Sequence, residues 1–499
     1  MAHSVQGNVD RPLTEEAGVQ AGSTQVQCGD GERRMDQKLM SRRRFAELGS
    51  SAAFLFIASA CGQTSQTTGA NGAAGTGSTA KTGDVATGAS GRKALPPAKI
   101  TFFTHWGGTH HLEGQNKAIE TFQQDHPDMT VEMVTRAATA EKIITAITGG
   151  TPPDLVAQSP ARLIPLALKG TWRPLEEFMR TSPVVKRENY HDLQLKIFTW
   201  KGKLLAIPAF EHFGGSALSY NMAHFEEAGL NPQTPPRTPE ELMKAHEKIT
   251  KVEGGQITRL GIDPRDAAGG NYTNWANTWG VKWWDPDALK LELNHPLMVE
   301  AHTFIASFYR QERAAQIAEF RKQYATWTNA KAGIVLGTQS MQLTGYYHPG
   351  ELANLPVKPE RMGYTWWPNP KAQKVYVAQG WGGTIPVEAK LPDHGWRLLE
   401  FFAGVKGGQI MFDTIGWLNG SKQFLKEGKF DKVPNLKFFQ EMPAKADVTA
   451  GGFATPIQDE IDKEYGAGMA AVIKGEMTPK VMLDDLHARM KQRLEETLR

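Results

Sequence analysis

The segment His105-Trp106-Gly107-Gly108 joins a short run of β-branched and aromatic residues, Lys99 to Thr104, to a stretch with helical periodicity. A tryptophan at the carboxyl end of a strand, beside two glycines, can turn its flat face to a ligand, and open α/β sheets collect ligands at those strand ends. The chain holds 13 tryptophans, many in expected loops: Trp106, Trp275, Trp279, Trp283, Trp284, Trp366, Trp367, Trp381 and Trp417. Indole is equally common as core packing, so residue type alone does not choose between the two roles. His105, His110 and His111 share one loop, with Glu113 beside them. That set leaves a metal open. Without a further carboxylate or a thiolate at matching spacing, the preferred reading is polar loop residues that hydrogen-bond solvent or ligand, and no metal is assigned. Glu113, Glu211 and Asp266 are acids in glycine-rich loops. None forms a recognisable pair of the kind a glycoside hydrolase needs, about 5 to 10 Å apart. There is also no Gly-x-Ser-x-Gly nucleophile elbow. No catalytic residue and no cofactor are assigned, and a secreted carbohydrate-active enzyme stays only as an alternative.

The elements that must position these residues are strands alternating with helices. After the strand at Lys99 to Thr104 comes a helix with Ala118, Ile119 and Phe122 on one side, ending before His126-Pro127. Thr130 to Thr135 reads as a strand, Glu141 to Thr148 as a helix and Asp154 to Ala157 as a strand. Farther on, strands are expected at Ala217 to Asn221, Ala332 to Leu336 and Val375 to Gln379, with a helix around Leu398 to Phe402. Pro239 to Thr250 reads as a helix with Thr238 at its N-cap and Pro239 in its first position. In the last helix Thr478 is the cap, and Met482, Leu486, Met490, Leu494 and Leu498 fall four apart, a core-packing stripe. This order predicts an α/β fold with a mostly parallel sheet.

Only two cysteines occur in the 499 residues, Cys28 and Cys61, and both precede the expected folded body, which excludes a disulfide framework or a thiolate metal site there. With 56 basic against 53 acidic residues the charge is nearly balanced, and nothing asks for nucleic acid as a partner. Ser41-Arg42-Arg43-Arg44-Phe45 stands before an apolar run from Leu48 to Ala60. This run falls short of the roughly 20 residues needed to span a bilayer, and the layout is that of a secretory signal. The arginine segment looks like a twin-arginine translocation motif. Ala58-Ser59-Ala60-Cys61 resembles a bacterial lipobox, in which the cysteine would be lipidated, although Ala58 stands where leucine is usual. Met35 or Met40, closer to the arginines, is expected to be the true start. Residues 1–61 are thus expected to be a signal segment and 62–96 a Gly/Ser/Thr linker with too little apolar content to order itself. About thirty such residues would reach about 30 Å.

Several blocks together are similar to one family. They are Phe103-Thr-His-Trp-Gly-Gly, Phe122-Gln-Gln-Asp-His-Pro, Gly149-Gly-Thr-Pro-Pro-Asp-Leu-Val, Ile207-Pro-Ala-Phe, Ser219-Tyr-Asn-Met and Glu226-Glu-Ala-Gly-Leu-Asn-Pro with Thr238-Pro-Glu-Glu-Leu. Gly333-Ile-Val-Leu-Gly, Gly382-Gly-Thr-Ile-Pro and Gly475-Glu-Met-Thr-Pro complete the order. Their sequence and spacing resemble the extracellular solute-binding proteins of ABC importers, the group that includes maltose- and glycerol-phosphate-binding proteins. The resemblance implies a two-lobed, hinged periplasmic-binding-protein fold with the ligand between the lobes, 97–211 and 362–412 forming the first and 212–361 and 413–499 the second. It implies a monomer that carries a small solute, most simply a sugar or oligosaccharide, to a membrane permease, without enzymatic activity; glycerol phosphate and a polyamine are the alternatives.

The resemblance also suggests ligand contacts. Beside Trp106 and His105, Gln158, Ser159 and Arg162 occupy a loop that carries an aromatic, an acid and an arginine in the maltose-binding relatives; only Arg162 matches. Glu211 falls at the place of a cleft carboxylate, flanked by His212, Phe213 and Ser216. Asn271, Tyr272, Asn274 and Trp275 are similar to the segment lining the second lobe, and Gln339 stands where relatives often carry a tryptophan after a glycine. Gln379, Trp381, Gly382 and Gly383 resemble the segment returning to the first lobe. Trp417 and Asn419 would close the cleft from below.

Overall fold

A computed structural model describes residues 94–212, 214–310, 312–356 and 361–499. The expected signal segment, Cys61, nearly all of the linker and Phe213 lie outside them. Strand Ala98–Phe103, helix Thr109–Asp125, strand Met129–Val134, helix Ala140–Thr148 and strand Leu155–Gln158 follow in order. Ile100 and Phe102 alternate onto the core, and Ala118, Ile119 and Phe122 are buried along the first helix, which is why these segments hold. Each helix carries the chain back to start the next strand in the same direction, so the three strands pair in parallel (Ala98 opposite Met129, Phe102 opposite Leu155).

Two later segments complete a five-stranded sheet. Gly382–Thr384 enters antiparallel to Leu155–Gln158, and Ile207–Pro208 pairs antiparallel with Gly382–Thr384 and so runs in the direction of the first three strands, Gly382 standing opposite both Gln158 and Pro208. A second sheet of three strands, with Ala217–Asn221 between Met341–Thr344 and Met362–Trp366, is antiparallel throughout. The expected mostly parallel sheet therefore describes the five-stranded sheet, where only Gly382–Thr384 runs against the others, and not the three-stranded one, whose strands arrive from distant parts of the chain and need no crossover helix.

Two more expectations are corrected. Ala332 to Leu336 does not form a strand: Gly333–Leu336 is one helical turn, closed by Gly337 in the left-handed region (φ 74°), whose N–H returns to the Gly333 carbonyl. A short apolar run has no period that separates the two outcomes; the strand is the next segment, Met341–Thr344. Second, Met362–Trp366 is hydrogen-bonded to Ala217–Asn221, so the chain is still in the second sheet at the point where the first lobe was expected to resume.

The caps behave as read. Thr238 and Glu241 exchange side chain-to-backbone hydrogen bonds at 3.2 Å each, a capping box around Pro239. In the last helix, Pro479–Leu498, Met482, Leu486, Met490 and Leu494 are buried, and it packs on Gln458–Lys474 and Pro296–Ser307. Among the described residues no helix is long and apolar enough to cross a membrane.

Candidate ligand-binding site

Three stretches of chain run together between the sheets. The Trp381 N–H donates to the Glu211 carbonyl (2.7 Å), the His212 N–H to the Leu418 carbonyl (2.8 Å) and the Gly215 N–H to the Val377 carbonyl (2.9 Å). Gly380, with φ 142°, makes this contact possible, since a Cβ there would collide with the Glu211 carbonyl and His212. His212 is buried in the junction with neither ring nitrogen paired among the described residues, and burial pushes its pKa down to about 3, so it packs as a neutral ring.

An aromatic wall stands at this junction. Trp106, from the loop after the first strand, lies 4.9 Å from the Trp381 ring and 4.6 Å from the Trp417 ring. His105 stacks on Trp381 at 4.5 Å with the planes 13° apart. Arg162, in the helix Pro160–Ala167, holds its guanidinium carbon 5.6 Å from the Trp381 ring centre and its Nη1 3.0 Å from His105 Nδ1. Arginine can only donate, so His105 Nδ1 accepts and the ring proton sits on Nε2. Burial, with Arg162 and His111 adding to it, lowers the His105 pKa to about 4, which keeps this acceptor neutral. Asp459, on the helix Gln458–Lys474 that packs against the Arg162 helix, acts on the Arg162 charge. The wall thus joins flat apolar faces to a fixed cation, an arrangement suited to a ring with apolar faces and polar edges.

Below the wall are two carboxyls. Glu211 is pushed up to about 8 by burial and by the neighbouring Glu351 charge, against a hydrogen bond from Tyr346. Glu351 Oε1 accepts from Trp417 Nε1 (3.1 Å) and lies 3.4 Å from His111 Nε2, while the His111 ring sits 4.9 Å from Trp417. At neutral pH Glu211 is mostly protonated, able both to donate and to accept.

The structure therefore brings together Trp106, His105, Arg162, Glu211 and Trp381, with His212 and Trp417 behind them; Trp417, expected to close the cleft, is 1% exposed and packs as core against Trp106. Other expected contacts have different partners. Tyr272 is buried against Tyr465 (4.6 Å) with its hydroxyl on Gln458, and Trp275 is 1% exposed with Nε1 on the Gly269 carbonyl (2.9 Å). Asn274 donates to the Ala268 carbonyl, and Asn271 caps the Tyr272–Thr278 helix. Gln339 is buried, its amide on Asp266 and on the Met341 carbonyl. Gln158 donates to the Ala138 carbonyl, and Ser159 starts the Arg162 helix. Asn419 donates to the Phe402 carbonyl. Gln379 is half-buried beside Gly452. A Cβ at Gly382 would stand 2.8 Å from the Ile207 carbonyl, so that glycine serves the neighbouring strand.

Several residues at the junction were not singled out from sequence. Tyr346, Tyr347 and Glu351 follow the Met341–Thr344 strand, and the aromatic pair after Gly345 was the available signal. Trp327, 54% exposed and 6.0 Å from the Tyr347 ring, had none. A surface hollow of about 560 Å³ lined by Pro239, Met243, Phe304 and Arg310 includes none of the expected residues.

Two α/β lobes, chain crossings between them and a mixed aromatic and polar wall at the junction define a two-lobed solute-binding protein. The model of bacterial extracellular solute-binding proteins matches residues 111–409, more than half of the chain, and the chain belongs to that family. Among solved structures it is similar to CpMnBP1 with mannobiose bound, at 20% identity and TM-score 0.70 over 78% of this chain and 98% of that one. It is also similar to the ABC substrate-binding protein Lmo0181 of Listeria monocytogenes in complex with cycloalternan (16%, TM-score 0.65, 80% and 99%). A third is the maltose/maltodextrin-binding domain MalE of Bdellovibrio bacteriovorus bound to maltotriose (18%, TM-score 0.63, 80% and 100%). At such identities the likeness carries the fold. A search of curated proteins gives no match.

Proposed function

We propose that this chain captures a neutral sugar or short oligosaccharide outside the cytoplasmic membrane and hands it to an ABC permease. The observation that carries this reading is the half-buried Trp106–Trp381 pair, backed by Trp417, with Arg162, His105 and Glu211 around it. Sugars offer C–H faces for stacking and hydroxyl rims for paired hydrogen bonds, and this set supplies both. A phosphate would want more than one arginine, and a polyamine ionised acids, whereas Glu211 is held mostly neutral. The carbohydrates bound in the similar structures support the same class.

Residues 1–61 would export the chain by the twin-arginine route, Cys61 would carry the lipid anchor, and 62–96 would let the lobes reach the permease. An acyl-chain mass at Cys61 is expected, and a free mature form would remove the anchor. The lobes would divide as read, except that 362–366 go with the second. The test of the binding role is a thermal-shift and tryptophan-fluorescence screen over mono- and oligosaccharides, glycerol phosphates and polyamines. A sugar should raise the melting temperature by mass action and change the fluorescence. A shift with a polyamine and none with any sugar would overturn the assignment, as would steady turnover of glycosides abolished by Glu211→Gln.

A further inference from the structure

His110 and His111 open the first-lobe helix Thr109–Asp125, and Glu351 lies in the helix Tyr347–Ala353 that follows a second-sheet strand. The fold closes the 240-residue gap between His111 and Glu351, and one ligand atom from each of the three side chains comes within 4.8 Å of the others. His111 Nε2 and Glu351 Oε1 are 3.4 Å apart. A tetrahedral ion with bonds of about 2.0–2.1 Å has ligand-to-ligand edges of about 3.3–3.4 Å, so this pair already spans one edge. The third ligand needs a side-chain adjustment of about 1.5 Å at most to complete the face.

Two independent observations favour an ion over a plain hydrogen-bonded cluster. His110 Nε2 is buried with no partner among the described residues, although its ring lies only 3.8 Å from that of His111. A buried polar nitrogen left unpaired is costly, and a metal bond at the imidazole would give this ring the polar partner it lacks. In addition, Glu351 Oε1 accepts from Trp417 Nε1 at 3.1 Å, which orients the carboxylate as outer hydrogen bonds orient metal ligands.

We infer that His110, His111 and Glu351 form a site for a divalent transition metal of the zinc class, joining the two lobes and leaving one coordination position open. Two imidazoles and one carboxylate, with no thiolate, are the donor set such ions take, while magnesium prefers an all-oxygen octahedral shell. The exposed Glu113 is not part of the group.

The inference does not depend on the sugar, so its test uses the metal alone. The full chain, purified without a histidine tag and stripped with chelator, is titrated with zinc by calorimetry and by thermal melting. One equivalent should bind and raise the melting temperature, and magnesium should do neither. His110→Ala is the informative variant, because its ring makes no hydrogen bond that the fold would lose at Nε2. It should keep the metal-free melting temperature and lose about tenfold or more in zinc affinity, with Glu351→Gln losing as much. An absence of saturable one-to-one zinc binding would overturn the site. So would unchanged affinity in His110→Ala, or an equal response to magnesium.

Discussion

Around Trp275 the indoles meet one another; around Trp381 they meet charge. Trp275 stands edge-on to Trp367 (5.2 Å, 88°) and near Trp279 (6.2 Å), and all three are at most 4% exposed. Trp381 and Trp106 are half-buried, with Arg162, His105 and, through Trp417, Glu351 in reach. Both regions are rich in tryptophan, both were expected in loops, and both were expected to touch ligand. The difference teaches that an indole becomes a binding surface where tertiary packing leaves one part of it uncovered and brings a polar partner to its edge. An indole sealed on every side is core, and Trp417, 1% exposed, is of that kind: it backs the wall whose open faces are Trp106 and Trp381.

That contrast can be broken most strongly at its buried end. Trp275→Ala should cost about 3–5 kcal/mol of stability in denaturant unfolding, because it removes a fully packed ring and its hydrogen bond. A cost below about 1 kcal/mol would mean that this region is no core. At the other end, Trp381→Ala should weaken sugar binding by about 1.5–3 kcal/mol in calorimetry, roughly ten- to a hundredfold, with a smaller loss of stability. Equal losses in both readouts would erase the distinction between the two regions.

A third experiment sharpens the electrostatic side. Glu211 has a folded pKa of about 8 against its ordinary 4.5, so the folded chain holds more protons than the unfolded one between those values. Its contribution to stability therefore falls as pH rises through that window, by up to about 1.4 kcal/mol per unit, and is level above it. Glu211→Gln should remove this component from melts taken between pH 5 and 9; an unaltered profile would show that the carboxyl is ionised in the fold. The smallest effect is expected at Trp327. If this exposed indole extends the wall from the second lobe, Trp327→Ala should cost about 0.5–1 kcal/mol in sugar affinity and nothing measurable in stability.

Much of the first lobe was legible because its signals are local. The strand before His105 and the helix carrying Ala118 and Phe122 depend on residues a few positions apart, as does the Thr238 cap farther along the chain. The candidate site was legible where a strand end and a glycine announced it, as at Trp106 and Trp381. It was not legible at Gln339, where the glycine before it closes a helical turn and the side chain goes to Asp266. Tyr272 and Trp275 misled for a related reason: aromatic and amide residues in an irregular-looking stretch are what a short buried helix also contains.

By itself the sequence determined the alternation of strands and helices, the caps, the packed face of the last helix and the aromatic loop after the first strand, since each follows from periodicity or from neighbours in the chain. Only the tertiary structure decided that the second sheet is antiparallel, that 362–366 belong to it, and that Trp106 and Trp381 are wall while Trp275 is core. The same holds for Glu351 beside His111 and Trp417. Those outcomes depend on which distant segments the packing of two lobes brings together, and residue spacing carries no record of that.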